Sequence, residues 1–374
     1  MKVAIIHYWL ITRRGGEKVV ESILKIYPDA DIYTLFLDEE TYGLKLPKQN
    51  IYTSILNNKY IRNYYQKVFP LFPLGIKSLK LKEDYDLIIS SESGPAKGVT
   101  IPDGTPHICY IHSPMRYCWG FTKEYLQSMP QSLRPIARFF FQRLKAWDRT
   151  TIDNVTHYIA NSNNVAKRVK KFYNRESNVV YPPIASSLFN KPLNYNTKRD
   201  FFLSFGAITP YKRIDLLVDT FNKNGLNLII IGDGSERQKL AKVAKSNVQF
   251  LGSLDWDKIE YYLHRSRALL FPGEEDFGMI PLEVMSYGIP VLAYGKGGAL
   301  ETVVENKEIS KSSGLFFKEQ SIASIQNCLQ RFLLIEKQYD KEWIRAHAKK
   351  FGEDIFLKKF KDEVEEVLKN TTNN

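Results

Sequence analysis

Three cysteines in 374 residues are too few for a disulfide framework, and Cys109, Cys118 and Cys328 lack the paired spacing of a zinc site. That scarcity fits a reducing, cytosolic compartment. No apolar run approaches the roughly 20 residues that cross a bilayer. Repeats and low-complexity tracts are absent apart from the polar end Thr371–Asn374. Acid is also short: 41 Asp and Glu stand against 53 Lys and Arg, a net charge of +12. Such an excess implies an anionic partner, whether nucleic acid, an anionic membrane or a phosphorylated substrate. The opening stretch Met1–Ile11 has the look of a signal peptide. It carries His7, however, and runs into Thr12-Arg13-Arg14-Gly15-Gly16 with no small-residue cleavage site, so it reads as a buried strand and a glycine turn.

What is present is an ordinary globular balance, 44% apolar and 25% charged, which excludes a largely disordered or fibrous chain. The length exceeds what one hydrophobic core supports, so two domains are expected. Short apolar runs alternate with helical patterns, the signature of parallel sheets built from βαβ units. Strands are expected at Val3–His7, Asp31–Leu35, Leu87–Ser90, His107–Ile111 and His157–Ala160. A second series covers Phe201–Phe205, Leu226–Ile231, Val248–Phe250, Ala268–Phe271 and Pro290–Ala293. Between them, Tyr181-Pro182-Pro183 reads as a stiff extended connection. The tail Phe351–Leu368 reads as an amphipathic helix, with Phe351, Ile355, Phe356, Phe360, Val364 and Val367 apolar.

Open parallel sheets bind ligands beyond the carboxyl ends of their strands, which makes a cleft between two such sheets the default site. Four segments fall at those ends. Gly15-Gly16 precedes a helix expected over Glu17–Tyr27; paired glycines admit a close ligand, but no third glycine completes a dinucleotide fingerprint. Gly206-Ala207-Ile208-Thr209-Pro210-Tyr211-Lys212-Arg213 offers two adjacent cations to a diphosphate, or is a solvated basic loop. Glu274-Glu275-Asp276-Phe277-Gly278-Met279-Ile280-Pro281-Leu282-Glu283 is the most distinctive. Pro281 suits a first helical turn, Glu283 is expected within that turn, and the amides around Gly278–Ile280 would meet a diphosphate. A carboxylate there can accept both hydroxyls of a ribose. Finally, His112-Ser113-Pro114-Met115-Arg116-Tyr117 follows a strand, with His112 beside Arg116. Three Asp-x-Asp triplets, Asp29/Asp31, Asp84/Asp86 and Asp255/Asp257, are read as structural, the last pair as a helix cap and first turn.

Together these segments resemble the retaining glycosyltransferases of family 4, whose GT-B fold is α/β with two Rossmann-like doubly wound domains facing a cleft. The resemblance covers nearly the whole chain. Its marker is E-x7-E, present as Glu275 and Glu283, supported by Gly15-Gly16, the Gly206–Lys212 loop, Gly232-Asp233-Gly234, and Gly297-Gly298 with Glu301. The His112–Tyr117 segment and Pro210-Tyr211-Lys212-Arg213-Ile214-Asp215 further resemble bacterial mannosyltransferases of O-antigen and capsule synthesis. The resemblance implies an acceptor-side domain over residues 1–182, joined by a returning C-terminal helix over 355–374, and a nucleotide-sugar domain over 183–354.

It also implies roles. His112, Glu275 and Lys212 would be catalytic. Gly15, Gly16, Gly206, Lys212, Arg213, Gly232, Phe277, Gly278, Met279, Ile280 and Glu283 would bind the donor, with Glu283 on the ribose and Lys212 on the diphosphate. Arg116 and Tyr117 would lie on the acceptor side. The family usually has Arg where this chain has Ala207; Arg213 is expected to supply the missing charge. No metal and no cofactor are expected, because cations can stabilise the leaving diphosphate. The implied reaction moves mannose from GDP-mannose, with retention, onto a polyprenyl-diphosphate-linked saccharide. A UDP-sugar-dependent transferase, a sugar-nucleotide epimerase of the same fold and a noncatalytic sugar-nucleotide-binding relative remain as alternatives. No nucleic-acid-binding motif occurs, so nucleic acid is not an expected partner.

The charge excess has a location. Lys59, Arg62, Lys67, Lys77, Lys80 and Lys82 occur without an acid between them, interleaved with Tyr64, Tyr65, Phe69, Leu71, Phe72, Leu74 and Ile76. On a helix from Arg134 to Arg149, one stripe is Arg134, Arg138, Gln142, Lys145 and Arg149, and another Ile136, Phe140, Leu144 and Trp147. Basic residues flanking an apolar face suit an anionic membrane surface, so the expected place is peripheral, on the cytoplasmic inner face of the cell membrane.

Overall fold

Short runs rich in Ile, Leu, Val and Phe make every strand of two parallel sheets in the computed structural model, which describes residues 1–42, 46, 49–127, 129–193 and 199–372. Residues 373–374 of the polar end lie outside those described. The chain divides into two units, Met1–Pro183 with Glu353–Asn374, and Ile184–Gly352.

In the first unit the strands are β1 (Val3–His7), β2 (Asp31–Thr34), β3 (Ile51–Thr53), β4 (Leu87–Glu92), β5 (His107–Ile111), β6 (His157–Ala160) and β7 (Asn178–Val179). Their order is β3-β2-β1-β4-β5-β6-β7. All residues of β1, β2, β4 and β5 are buried, as in a sheet covered on both faces. The second unit carries β8 (Phe201–Phe205), β9 (Leu228–Ile231), β10 (Val248–Gly252), β11 (Ser266–Phe271), β12 (Val291–Tyr294) and β13 (Gly314–Phe317). Its order is β10-β9-β8-β11-β12-β13. Each sheet therefore reverses its strand order once, between β1 and β4 and between β8 and β11, and ligand crevices form past the carboxyl ends at such switch points. The architecture is GT-B.

The C-terminal helix Glu353–Thr372 supplies Phe356, Phe360, Val364 and Val367 to the core of the first unit, among Ile5, Val20, Ile23 and Tyr110. Its start is fixed by Glu353, which accepts from Ser22 Oγ at 2.7 Å and pairs with Lys25 at 2.6 Å. Phe351, read from sequence as part of this helix, precedes it and packs in the second unit, 5.9 Å from the Phe277 ring. Three strands had no sequence expectation: β3, β7 and β13. The first two are only three and two residues long, too short to show a period.

β4 runs two residues beyond its expected end and carries Ser91 and Glu92. Glu92 belongs to a fully buried charge cluster. Lys97 Nζ pairs with Asp148 and lies 4.0 Å from Glu92 Oε1, and all three side chains are completely inaccessible. Trp119 Nε1 and Tyr173 OH donate to Asp148 Oδ2 at 2.7 and 2.9 Å. Lys97 N donates to Glu92 Oε2 at 3.1 Å. Burial pushes the Glu92 carboxyl up to about 8 against the pull of Lys97. Burial alone would lower Lys97, but Asp148 and Glu92 outweigh it and raise its pKa.

Candidate donor site and the histidine cluster

In the second unit, β8 ends at Phe205 and the chain turns through Gly206, Ala207 and Ile208. This loop lies against the one after β9. Gly206 N donates to Ile231 O at 3.0 Å and Ile208 N to Asp233 O at 2.9 Å. The approach is so close that a Cβ at Gly232, whose φ is +137°, would sit 1.9 Å from the Gly206 carbonyl oxygen. Only glycine satisfies both the contact and the backbone angle.

Pro210–Lys212 then forms a single turn before the helix Ile214–Asn224. Lys212 ion-pairs with Glu275, and each side chain is about one-sixth exposed, at 17% and 16%. A small pocket at the β8 and β11 ends is lined by Gly206, Ala207, Lys212, Phe271, Pro272 and Gly273. Arg213, expected to replace the missing charge beside Ala207, is engaged elsewhere: Nε and Nη2 bond Asp215 at 3.1 and 3.0 Å. Its backbone is left-handed at φ +56°, which is what turns the chain into the helix.

Past β11, Gly278 at φ +92° starts the helix Met279–Met285. Pro281 is its third residue, where its missing N–H has no intrahelical partner to lose. Glu283 is the fifth, in the second turn rather than the first, because the helix begins two residues before Pro281. Glu283 is buried, while Gly278, Met279 and Ile280 are half-buried. Phe277, expected at the donor, has a buried ring in contact with Phe351. The Glu275 carbonyl accepts from Gly298 N at 2.8 Å, which ties the acidic loop to Gly297-Gly298 and the short helix Ala299–Thr302 bearing Glu301. The structure thus brings Gly206, Gly232, Lys212 and Glu275 together and turns the Arg213 charge toward Asp215.

In the first unit, His7, Ser91 and His112 meet at the ends of β1, β4 and β5. His112 N donates to Glu92 O at 2.7 Å, and Ser91 Oγ lies 2.8 Å from His112 Nε2. A Cβ at Gly16 would be 3.5 Å from that Nε2 and 3.4 Å from His7 Cε1. Gly15 and Gly16 open the helix Gly15–Ile26, and Arg14 N is capped by Glu17 Oε2 at 3.0 Å. Burial, and next the neighbouring His112, hold His7 neutral with its pKa down to about 3. Sequence reading named His112 and Gly16 but missed His7 and Ser91, whose strand positions look like core. Arg116 stacks its guanidinium 4.2 Å over Phe121. Tyr117, expected on the acceptor side, sits in an aromatic cluster with Phe69, Tyr125 and Phe141, its ring 5.3 Å from that of Phe141.

Asp31 accepts from Tyr85 OH at 2.6 Å and Asn50 at 2.8 Å, and Asp86 accepts from Lys2 N at 2.7 Å, so both carboxylates serve strand edges. Asp255 occupies the cap position of the helix Trp256–Arg265 but makes no side-chain cap bond.

Residues 15–187 match the family model Glycosyltransferase Family 4, and residues 187–350 match Glycosyl transferases group 1. Alpha-1,3/1,6-mannosyltransferase ALG2 of Candida glabrata is 26% identical over 251 residues, 53% of this chain and 54% of that protein. O-antigen chain mannosyltransferase RfbU of Salmonella typhimurium is 26% identical over 156 residues, 38% of this chain and 43% of that one. The matched stretches thus span about half, or less, of these relatives' lengths. Among solved structures, Anabaena Alr3699/HepE in complex with UDP shares the fold at a TM-score of 0.69 and 16% identity, covering 98% of this chain and 100% of that one.

Proposed function

We propose that this chain, a Glycosyltransferase Family 4 domain followed by a group 1 domain, transfers mannose from GDP-mannose with retention onto a lipid-linked saccharide. The observation that carries the reading is the Lys212–Glu275 pair beside the Gly206 loop at the switch point of the second sheet. Donor cleavage develops negative charge on the leaving diphosphate and oxocarbenium character on the sugar. Lys212 supplies a half-buried cation for the first, in surroundings where a charge is weakly screened. Glu275 lies next to it, near the sugar, and the leaving phosphate takes the acceptor's proton. Transfer then needs no metal, and activity in EDTA is the expected result. The mannosyltransferase names of two relatives support mannose as the sugar. A UDP-sugar is the second reading, because HepE was crystallised with UDP.

Glu283 would accept the ribose hydroxyls. Glu283→Ala should weaken nucleotide binding by about 1.5–3 kcal/mol, the scale of a charge-assisted hydrogen bond, and Glu283→Gln by less. Calorimetric titration with GDP, UDP and their sugars tests both points. Unchanged affinity in folded Glu283→Ala removes the residue from the donor site, and tighter binding of UDP than GDP selects the second reading.

The acceptor side is proposed to rest on an anionic membrane at the cytoplasmic face. Among the described residues no helix is long and apolar enough to cross one. Instead Tyr60, Tyr64, Leu71, Leu74, Leu133, Ile136 and Phe139 are exposed in the first unit, Tyr60 by 85% and Ile136 by 57%. The helix Arg134–Thr150 turns Ala137, Phe141, Leu144 and Asp148 inward, which divides the stripe expected from sequence and leaves Ile136 outside. Lys145 and Arg149 stack on Trp119, at 4.3 and 5.4 Å, and Arg143 over the exposed Phe139 at 5.6 Å, so Arg138 is the better candidate for a lipid headgroup. Each basic residue near such a surface contributes about 1 kcal/mol. Vesicles containing anionic lipid should co-sediment the protein in low salt, and Arg138→Glu with Phe139→Asp should release it. Equal sedimentation with neutral vesicles overturns the assignment.

A further inference from the structure

β4 ends by holding one residue at two points. The Glu92 carbonyl takes the His112 backbone N–H at 2.7 Å, and the preceding residue, Ser91, brings its Oγ to 2.8 Å from His112 Nε2. The parallel register places Ser91 opposite His7 on one side and Tyr110 on the other, so its backbone lies in the interior of the sheet. Ser91 is fully buried. A buried hydroxyl needs an acceptor for its proton, and the acceptor beside Ser91 Oγ is Nε2. Were Nε2 the donor, the serine proton would be stranded at a cost that a donating serine avoids. His7, kept neutral by burial and by His112, adds no charge that would reverse the arrangement. Gly16 leaves the ring space but little more, its absent Cβ lying only 3.5 Å from Nε2.

The geometry points to Ser91 as the positioning residue of His112: its hydroxyl donates to Nε2, keeps the imidazole proton on Nδ1 and fixes the plane of the ring. This assignment rests on the catalytic role that the family resemblance implies for His112. A hydrogen bond on one ring nitrogen sets the tautomer at the other, and out of water such a bond holds orientation firmly. Lys97 N donates to Glu92 Oε2 at 3.1 Å, so the strand end has a second anchor besides Ser91.

Two measurements test it. In the whole protein, long-range proton–nitrogen NMR correlations should show His112 with Nδ1 protonated and Nε2 bare, and Ser91→Ala should turn this into a mixture of tautomers. A wild-type ring protonated on Nε2 overturns the proposal without reference to any acceptor. In transfer assays Ser91→Ala should lower kcat about tenfold at unchanged donor Kd, Ser91→Thr should keep most of the rate, and Ser91→Ala should add nothing to His112→Ala. An equal loss from Ser91→Ala in the His112→Ala background shows Ser91 acting elsewhere and overturns its role alone. Full activity in His112→Ala overturns it together with the role of His112.

Discussion

Lys212→Ala is expected to lower kcat/KM by about 10²–10³-fold, the loss seen when one preorganised group facing developing charge is removed from a shielded site. The ammonium is only 17% exposed and sits against a carboxylate, Glu275. A diphosphate carries more charge than that carboxylate and would compete for the same cation. Arg213→Ala should cost far less, since its guanidinium is bonded to Asp215 by two nitrogens and is not available to the pocket in this arrangement. Arg213→Ala should not move the melting temperature appreciably, because its more exposed pair with Asp215 contributes little to stability, whereas Lys212→Ala leaves the mostly buried Glu275 without its cation and should lower the melting temperature. The check is steady-state kinetics of both variants with one donor. Equal, mild effects would return the loop to the role of a solvated basic turn.

The second large effect concerns folding. Lys97→Met should destabilise the first unit by about 3–5 kcal/mol, because it leaves the Asp148 carboxylate buried without its cation. Trp119 and Tyr173 still donate to that carboxylate, which holds its orientation but does not neutralise it. Adding Asp148→Asn should recover part of the loss, since the amide carries no charge and keeps one acceptor for the two donors. Urea unfolding followed by tryptophan fluorescence measures the loss, Trp119 being one of three tryptophans in the first unit. A double variant no more stable than Lys97→Met would mean that lost packing, not stranded charge, sets the cost.

Neither Lys97 nor Asp148 stood out in the sequence. They are 51 positions apart and join only when the turn Ala96–Gly98 and the helix Arg134–Thr150 pack, so no local pattern announces the pair. The strands of both units were legible where four or more apolar residues ran together, as in Leu228–Ile231, and vanished where an edge strand was short, as in Asn178–Val179. Helix limits moved for identifiable reasons. A left-handed glycine at 278 began its helix earlier than Pro281 suggested, and Glu283 fell a turn deeper. Lys212 and Arg213 looked equivalent as neighbours in a loop, yet the left-handed backbone at Arg213 sends the two charges to different partners. Periodicity on Arg134–Thr150 gave a helix and grouped Ile136, Phe140, Leu144 and Trp147 on one apolar face, which the fold divides: Leu144 is buried with Phe141, and Ile136 is exposed.

The returning helix has a bearing on synthesis. Phe356, Phe360, Val364 and Val367 complete a core whose other members lie before Pro183. On the ribosome, the first unit emerges with that apolar face uncovered and waits while Ile184–Gly352 is made, on the order of 10–30 s at ordinary elongation rates. The second unit is contiguous and can close as soon as it is released. The later unit is therefore ready to finish first, while the nascent first half keeps that apolar face uncovered for the interval. Expressing residues 1–183 alone should yield an aggregating fragment, whereas supplying 353–372 as a separate peptide, or fusing it behind Pro183, should restore solubility.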